Sequence, residues 1–126
     1  EDGILDPKAP DFETRRMMLH IMGRRRYRVL GQSWWPEELP SKNEYTRARQ
    51  NLDKHDWAVD YIITHCAPTD LALAINRHNK ADPLTDFLQE IQEKAQEHYW
   101  LFGHYHGDQA IDNKHILLWE QIVQVI

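Results

Sequence analysis

The stretch AVDYIITHCAP, residues 58–68, is typical of a buried β-strand that runs into a loop. β-branched and aromatic residues, which suit a pleated backbone, fill it as far as Thr64. His65 follows directly, and Pro68 cannot continue a strand because it has no backbone N–H to donate. We therefore predict a strand over residues 58–64 that delivers His65 to its carboxyl end.

A second apolar run, YWLF at residues 99–102, stops at the sequence GHYHG. Between the two runs, Asp82-Pro83 is a helix start signal for a helix through about Glu97. Strand, helix and strand in this order form a crossover unit, which predicts that the two strands are parallel. The predicted fold class is α/β. The helix carries an apolar stripe at helical spacing, made of Leu84, Phe87, Leu88, Ile91 and Ala95.

Helix signals also precede the first strand. Ser41 and Glu44 form a capping box, which predicts a helix from about Asn43 to His55. Its inner face would consist of Tyr45, Ala48 and Leu52.

Shorter elements are predicted on the carboxyl side of both strands. Thr69-Asp70 predicts the start of a brief helix over residues 71–75. Asp112-Asn113-Lys114 has the composition of a turn between residues 109–111 and 115–119. These segments predict an antiparallel pair, followed by a last strand over residues 121–126.

The amino-terminal region gives weaker signals. We expect residues 1–15 to be a loosely ordered lead-in and residues 16–126 to form one domain. Residues 16–23, RMMLHIMG, fit either a short buried strand or the end of a helix. Residues 24–28 hold four arginines, read as a solvated charge run in preference to a phosphate-binding patch.

The composition describes a folded chain of ordinary size. The 126 residues are 41% hydrophobic and 28% charged, which excludes a disordered or low-complexity protein. A formal charge of -5 argues against a nucleic-acid partner, and the short apolar runs argue against a membrane partner. The single cysteine, Cys66, forms no internal disulfide, which favours a cytoplasmic location.

Three of the eight histidines follow the two predicted parallel strands. His65 ends one strand, and His104 and His106 follow the other, so all three would lie at one edge of the sheet. A bend at the flanking Gly103 and Gly107 would aim both of the latter imidazoles toward adjacent metal positions. Metal ligation and a polar loop pair both remain open. Solvated or packing roles are expected for His20, His55, His78, His98 and His115.

Cys66, next to His65, raises the alternative of a Cys/His nucleophile. We expect no such pair, because adjacent residues at a strand end diverge and no orienting Asn or Asp is evident.

The motifs around these histidines resemble a known family. Residues 60–68, DYIITHCAP, and 100–106, WLFGHYH, resemble the last two metal-binding motifs of the calcineurin-like metallophosphoesterases. Residues 33–39, SWWPEEL, followed by a helix, resemble a bacterial and phage branch of that family. The likeness covers about residues 18–126. It implies an αββα sandwich with mixed sheets, of which this chain would form the C-terminal portion.

The resemblance also implies a chemistry. His65 and His104 would bind one divalent metal ion and His106 a second, the ions being Mn, Fe, Zn or similar. Such a two-metal centre hydrolyses phosphate monoesters or diesters, so the implied protein is a hydrolase with a phosphate-ester substrate.

Two departures from the family pattern bear on that chemistry. Of the family's amino-terminal metal-binding motifs, only an Asp-x-His pattern occurs before His65, at Asp53-Lys54-His55, and it lies in the predicted helix and not after a strand. A stretch that relatives carry is missing at Gly23-Arg24, which predicts either widely separated Cα atoms there or a real deletion. The first interpretation is an enzyme whose N-terminal half is absent from these residues or supplied by a second chain. The alternative is a non-catalytic, truncated module that binds a protein partner.

Overall fold

The computed structural model describes residues 3–24 and 27–125. It divides into two compact units, Glu1–Leu39 and Pro40–Ile126. The described residues form both helices and strands, and the strands pair in both parallel and antiparallel directions. The predicted α/β class with mixed sheets is therefore confirmed. The boundary between units follows Leu39, whereas the sequence pattern predicts one after residue 15.

The first unit is built on a short parallel ribbon. Strand β1, Ile4–Leu5, pairs with strand β2, Arg28–Val29, and helix α1, Phe12–Ile21, connects them. Leu5 is buried in this unit, so the segment expected to be a loose lead-in contributes a strand. Arg25 and Arg26, in the predicted charge run, lie outside the described residues.

Helix α1 decides between the two interpretations of residues 16–23. They form the end of a helix, and the helix has no buried residues. Gly23 adopts a left-handed conformation with φ of 69°, and its N–H donates to the carbonyl of His20 at 3.1 Å. The N–H of Arg24 donates to the carbonyl of Leu19 at 2.8 Å, which completes a Schellman cap. Gly23 and Arg24 are therefore consecutive residues of one helix cap.

The second unit contains three helices and a four-stranded sheet. Its helices are α2, Lys42–Asp53; α3, Thr69–Ile75; and α4, Pro83–Lys94. Its strands are β3, Ala58–Thr64; β4, Gln96–Phe102; β5, Gln109–Ala110; and β6, His115–Leu117.

Strand order places the carboxyl ends of three strands together. The sheet runs β3-β4-β6-β5, with β3 and β6 each parallel to β4 and β5 antiparallel to β6. The prediction of parallel strands on either side of the helical connection is confirmed, as is the antiparallel pair. Strands β3, β4 and β6 therefore end at the same edge of the sheet.

The helix starts follow from side-chain caps. Ser41 accepts the N–H of Glu44, as the capping box predicts, and α2 begins at Lys42. Asp82 accepts the N–H groups of Leu84 and Thr85, so α4 begins at Pro83.

Three predictions about individual elements are wrong. Helix α4 ends at Lys94 and not near residue 97, because β4 begins at Gln96. Residues 121–125 form no strand, and Ile126 lies outside the described residues. Strand β3 is half-buried and not buried, because it lies at the edge of the sheet and leaves Ile63 77% exposed.

The core of the second unit lies between the sheet and its helices. Trp100, on β4, is fully buried, and its indole N–H donates to the hydroxyl of Thr64 at 2.8 Å. The apolar stripe of α4 packs against it, as predicted from its spacing. The buried members of this cluster are Ala67, Leu71, Phe87, Leu88, Ile91, Trp100, Phe102 and Leu117.

An ion-pair network joins α2 to α4 and should make stability depend on pH. Hydrogen bonds from Arg49, and then from Lys94, lower the pKa of Glu90 from 4.5 to about 2. Because the folded pKa is lowered, this stabilisation is present above pH 4.5 and is lost as the pH falls toward 2.

We expect Glu90→Gln to lower the free energy of unfolding by about 1 kcal/mol at pH 7, since solvent screens the partly exposed pair. Urea unfolding at pH 7 and pH 2.5 measures it, and the difference from wild type should shrink at the lower pH. Glu93→Gln, on the exposed side of the same helix, is the control. An equal loss at both pH values would contradict the role of the Glu90 charge.

Candidate metal centre

Two histidines meet at the carboxyl ends of β3 and β4. Thr64 is the register partner of Phe102, so the residues that follow each strand are neighbours. The N–H of Gly103 donates to the carbonyl of His65 at 3.1 Å and ties the two loops together. Nε2 of His65 lies 3.1 Å from Nδ1 of His104, and both side chains are exposed. The predicted convergence of these two imidazoles is therefore present.

The loop after β4 bends at its histidines. His104 and His106 both have left-handed backbones, with φ of 69° and 51°. The expectation that Gly103 and Gly107 would provide the bend is wrong, since neither glycine has a positive φ. Left-handed residues with side chains cost about 1–2 kcal/mol each and are frequent at functional sites. These two conformations keep the side chains of the loop from alternating between opposite faces, as they would in an extended strand.

His106 occupies a different position from the other two imidazoles. Its ring stacks on the indole of Trp119, with 5.3 Å between centroids and 13° between planes. Trp119 follows β6, and the N–H of Leu118 donates to the carbonyl of Phe102 at 2.8 Å. Both residues therefore belong to the sheet edge that carries His65. Among the described residues, the metal-ligand cluster at this edge does not include His106.

Asp108 fixes the segment that carries Trp119. Its carboxylate accepts the backbone N–H groups of Trp119, Glu120 and Gln121 at 2.7 to 3.2 Å. These bonds, the one from Trp119 foremost, lower the pKa of Asp108. The hydrogen bonds to the Asp108 carboxylate therefore fix the backbone of Trp119, whose ring stacks on His106.

Cys66 joins the histidine pair in space. One ligand atom from each of His65, Cys66 and His104 lies within 4.8 Å of the others. The expectation that Cys66 and His65 diverge is wrong, because the chain leaves the strand at Thr64 and bends at both residues. Burial, followed by the charge of Asp82, raises the pKa of the Cys66 thiol to about 11. Such a thiol is protonated near neutral pH and makes a poor nucleophile.

Tyr105 anchors the loop from beneath. It is half-buried and packs edge-on against the rings of Phe102 and His104. Its hydroxyl accepts the N–H of Ala67 at 3.4 Å, which connects the two loops a second time. Burial raises the pKa of Tyr105 to about 12, so the phenol stays neutral.

The residues of this cluster fit one divalent ion. Two nitrogens bound to one ion at about 2.0–2.1 Å lie about 3.0–3.4 Å apart, and the 3.1 Å between the imidazoles falls in that range. The described residues offer fewer ligands for a second ion. No carboxylate of the described residues joins the cluster, and His106 lies against Trp119.

The remaining histidines lie elsewhere. His115 is buried, with Nδ1 2.7 Å from a carboxylate oxygen of Asp112. His98 lies 3.5 Å from Asp60 on the surface. The other three, which are exposed and lie outside the described metal-ligand cluster, are His20, His55 and His78.

A cavity of about 400 Å³ lies at the opposite end of the strands from the histidines. It is formed where β3 and β4 begin, and it contains none of the clustered ligands. The candidate ligands therefore lie apart from this cavity. An ion is held by the atoms that coordinate it and does not need an enclosed volume. The cavity is lined by residues 58–60, 95–98 and 114.

Comparisons of the chain with protein-family models, with curated proteins and with solved structures found no match. In the part of the chain that the structure describes, no helix has the length and apolar character needed to span a membrane. The site therefore has to be interpreted from its own geometry. The sequence pattern predicted that His65 and His104 would lie at this edge, but it did not predict that Cys66 would join them or that Trp119 would stack on His106.

Proposed function

We propose that this protein is a metal-dependent phosphoesterase, which hydrolyses phosphate monoesters or diesters at a two-metal centre. The observation that carries the proposal is the 3.1 Å separation of the His65 and His104 ring nitrogens at the ends of two parallel strands. This separation suits a shared ion, and both side chains are open to solvent.

The resemblance to calcineurin-like metallophosphoesterases gives further support. The motifs that carry it, residues 60–68 and 100–106, are the segments that meet at this edge of the sheet. Under this proposal the second unit belongs to the C-terminal portion of an αββα sandwich. A cytoplasmic location accompanies the proposal and depends on the single cysteine.

Each residue of the edge has a proposed role. His65 and His104 hold one ion, and His106 holds the second. Divalent ions such as Mn, Fe or Zn, when bound, polarise the phosphoryl group and activate water. Trp119 fixes the plane of the His106 ring, and Tyr105 holds the two loops together.

The centre needs ligands beyond these imidazoles. Three neutral histidines do not offset the charge of two divalent ions, and carboxylates usually contribute to such sites. We propose that a further segment or a second chain supplies them. Strand β3 is suited to receive it, because it lies at the sheet edge and ends at His65.

Metal-dependent hydrolysis tests the proposal. The chelator-treated protein, together with the segment or chain that supplies the remaining ligands, is assayed with p-nitrophenyl phosphate and bis-p-nitrophenyl phosphate, before and after addition of Mn²⁺ or Zn²⁺. We expect hydrolysis only after metal is added. Equal rates with and without metal, or none in either condition, would contradict the proposal.

A second candidate is a non-catalytic module that binds a protein partner. The edge position of β3 favours it, because Ile63 is 77% exposed there beside backbone groups at the sheet edge. Failure of the metal-dependent assay would favour this module over the enzyme.

A further inference from the structure

We propose that Cys66 is a third ligand of the ion held by His65 and His104, so that this position is a thiolate-containing site of zinc type. The inference rests on the proposed metal site but not on phosphoester hydrolysis. The ligand is a divalent ion of intermediate softness, Zn²⁺ or Co²⁺, in preference to Mn²⁺ or Mg²⁺.

Distances support a shared ion. The ligand atoms of the three residues lie within 4.8 Å of one another, and two of them are 3.1 Å apart. Around a tetrahedral ion with bonds of about 2.3 Å to sulfur and 2.0–2.1 Å to nitrogen, sulfur and nitrogen lie about 3.6 Å apart. The 4.8 Å limit exceeds this spacing by about 1 Å, which rotation of the Cys66 side chain would close.

The backbone of Cys66 is held in place for this role. The hydroxyl of Thr64 donates to the carbonyl of Cys66 at 2.6 Å, and Thr64 in turn accepts the indole N–H of Trp100. Ala67, the next residue, is completely buried. The hydrogen bond to its carbonyl and the burial of Ala67 therefore fix the backbone of Cys66, whose half-buried thiol lies beside two exposed imidazoles.

The ligand types determine which ions fit. One thiolate and two imidazoles leave a fourth tetrahedral position open, as in catalytic zinc sites. Thiolate favours Zn²⁺ and Co²⁺, whereas Mn²⁺ and Mg²⁺ prefer oxygen ligands. On binding, the metal–sulfur bond replaces the S–H bond, and the proton passes to the solvent.

Cobalt spectroscopy of the whole 126-residue chain tests the inference. The chelator-treated protein is titrated with Co²⁺, and absorbance is recorded in the near ultraviolet and the visible. A thiolate bound to Co²⁺ adds a charge-transfer band in the near ultraviolet that imidazole ligands alone do not give. We expect this band in the wild type and its loss in Cys66→Ser.

We also expect the affinity for Co²⁺ to fall at least about tenfold in Cys66→Ser, because loss of a ligand exceeds the loss of an outer-shell contact. His55→Ala, which changes an exposed histidine outside the cluster, is the control and should bind like wild type. The alkylation rate of Cys66 in unaltered protein gives an independent readout that requires no variant. Saturating Zn²⁺ should slow it, and Mn²⁺ at the same concentration should not.

The outcomes separate this inference from the proposed function. Co²⁺ binding without a charge-transfer band, together with unchanged alkylation in Zn²⁺, would overturn the role of Cys66 and leave the histidine site standing. Absence of any Co²⁺ binding would overturn both. A band and metal protection without phosphoester hydrolysis would support the thiolate site and contradict the phosphoesterase.

Discussion

Replacing His104 with alanine should lower metal-dependent hydrolysis of bis-p-nitrophenyl phosphate by at least about 100-fold. His104 provides one of the two ring nitrogens that lie 3.1 Å apart, and a lone imidazole binds a divalent ion weakly. Changes to residues that merely support a ligand already cost 10–100-fold, so loss of the ligand itself should cost more. Initial rates at saturating Zn²⁺ measure the effect.

A loss of activity in His104→Ala has to be distinguished from a distortion of the loop backbone. His104 has a φ of 69°, which alanine tolerates poorly, so His104→Asn is the second variant because asparagine adopts this conformation more readily. His55→Ala, far from the cluster in sequence and exposed, serves as the matched control. Activity that persists in both His104 variants and in excess chelator would rule out the metal mechanism.

Replacing Trp100 with alanine should lower the free energy of unfolding by about 3–5 kcal/mol. Trp100 is fully buried in the core of the second unit, and its removal leaves a cavity and takes away the indole N–H that the Thr64 hydroxyl accepts. A loss of this size is a large fraction of the 5–15 kcal/mol typical of folded domains. Urea unfolding followed by circular dichroism measures it without depending on tryptophan fluorescence.

Ile63→Ala is the matched control for this loss. Ile63 lies on the neighbouring strand β3 and is 77% exposed, so its truncation should change stability by less than about 0.5 kcal/mol. Trp100→Phe separates volume from hydrogen bonding, and we expect it to be the milder of the two Trp100 variants. A Trp100→Ala loss below 1 kcal/mol would show that β4 does not carry the core.

Local signals in the sequence were sufficient for most elements. The capping residues Ser41 and Asp82 mark helix starts because their side chains satisfy backbone N–H groups within the next three residues. The strand at residues 58–64 agrees with its prediction at both ends. Elements that depend on interactions between residues close in sequence can therefore be predicted from the sequence.

The last strand shows where such signals fail. Residues 121–126, QIVQVI, have a strand-like composition, yet residues 121–125 form no strand. Asp108 accepts the N–H groups of residues 119–121 and so takes the donor of Gln121, the first residue of the predicted strand. An acceptor more than ten residues away therefore competes with strand pairing where the strand would begin, and composition does not record such competition.

The sequence by itself determined that His65 and His104 follow adjacent parallel strands, because strand and helix periodicities are local properties. Only the tertiary structure decided that Cys66 would join them and that His106 would stack on Trp119. Those contacts depend on left-handed backbones at His104 and His106, which depart from the alternation of a strand. Such conformations persist where surrounding contacts impose them, so they follow from packing between distant residues and not from the order of neighbours.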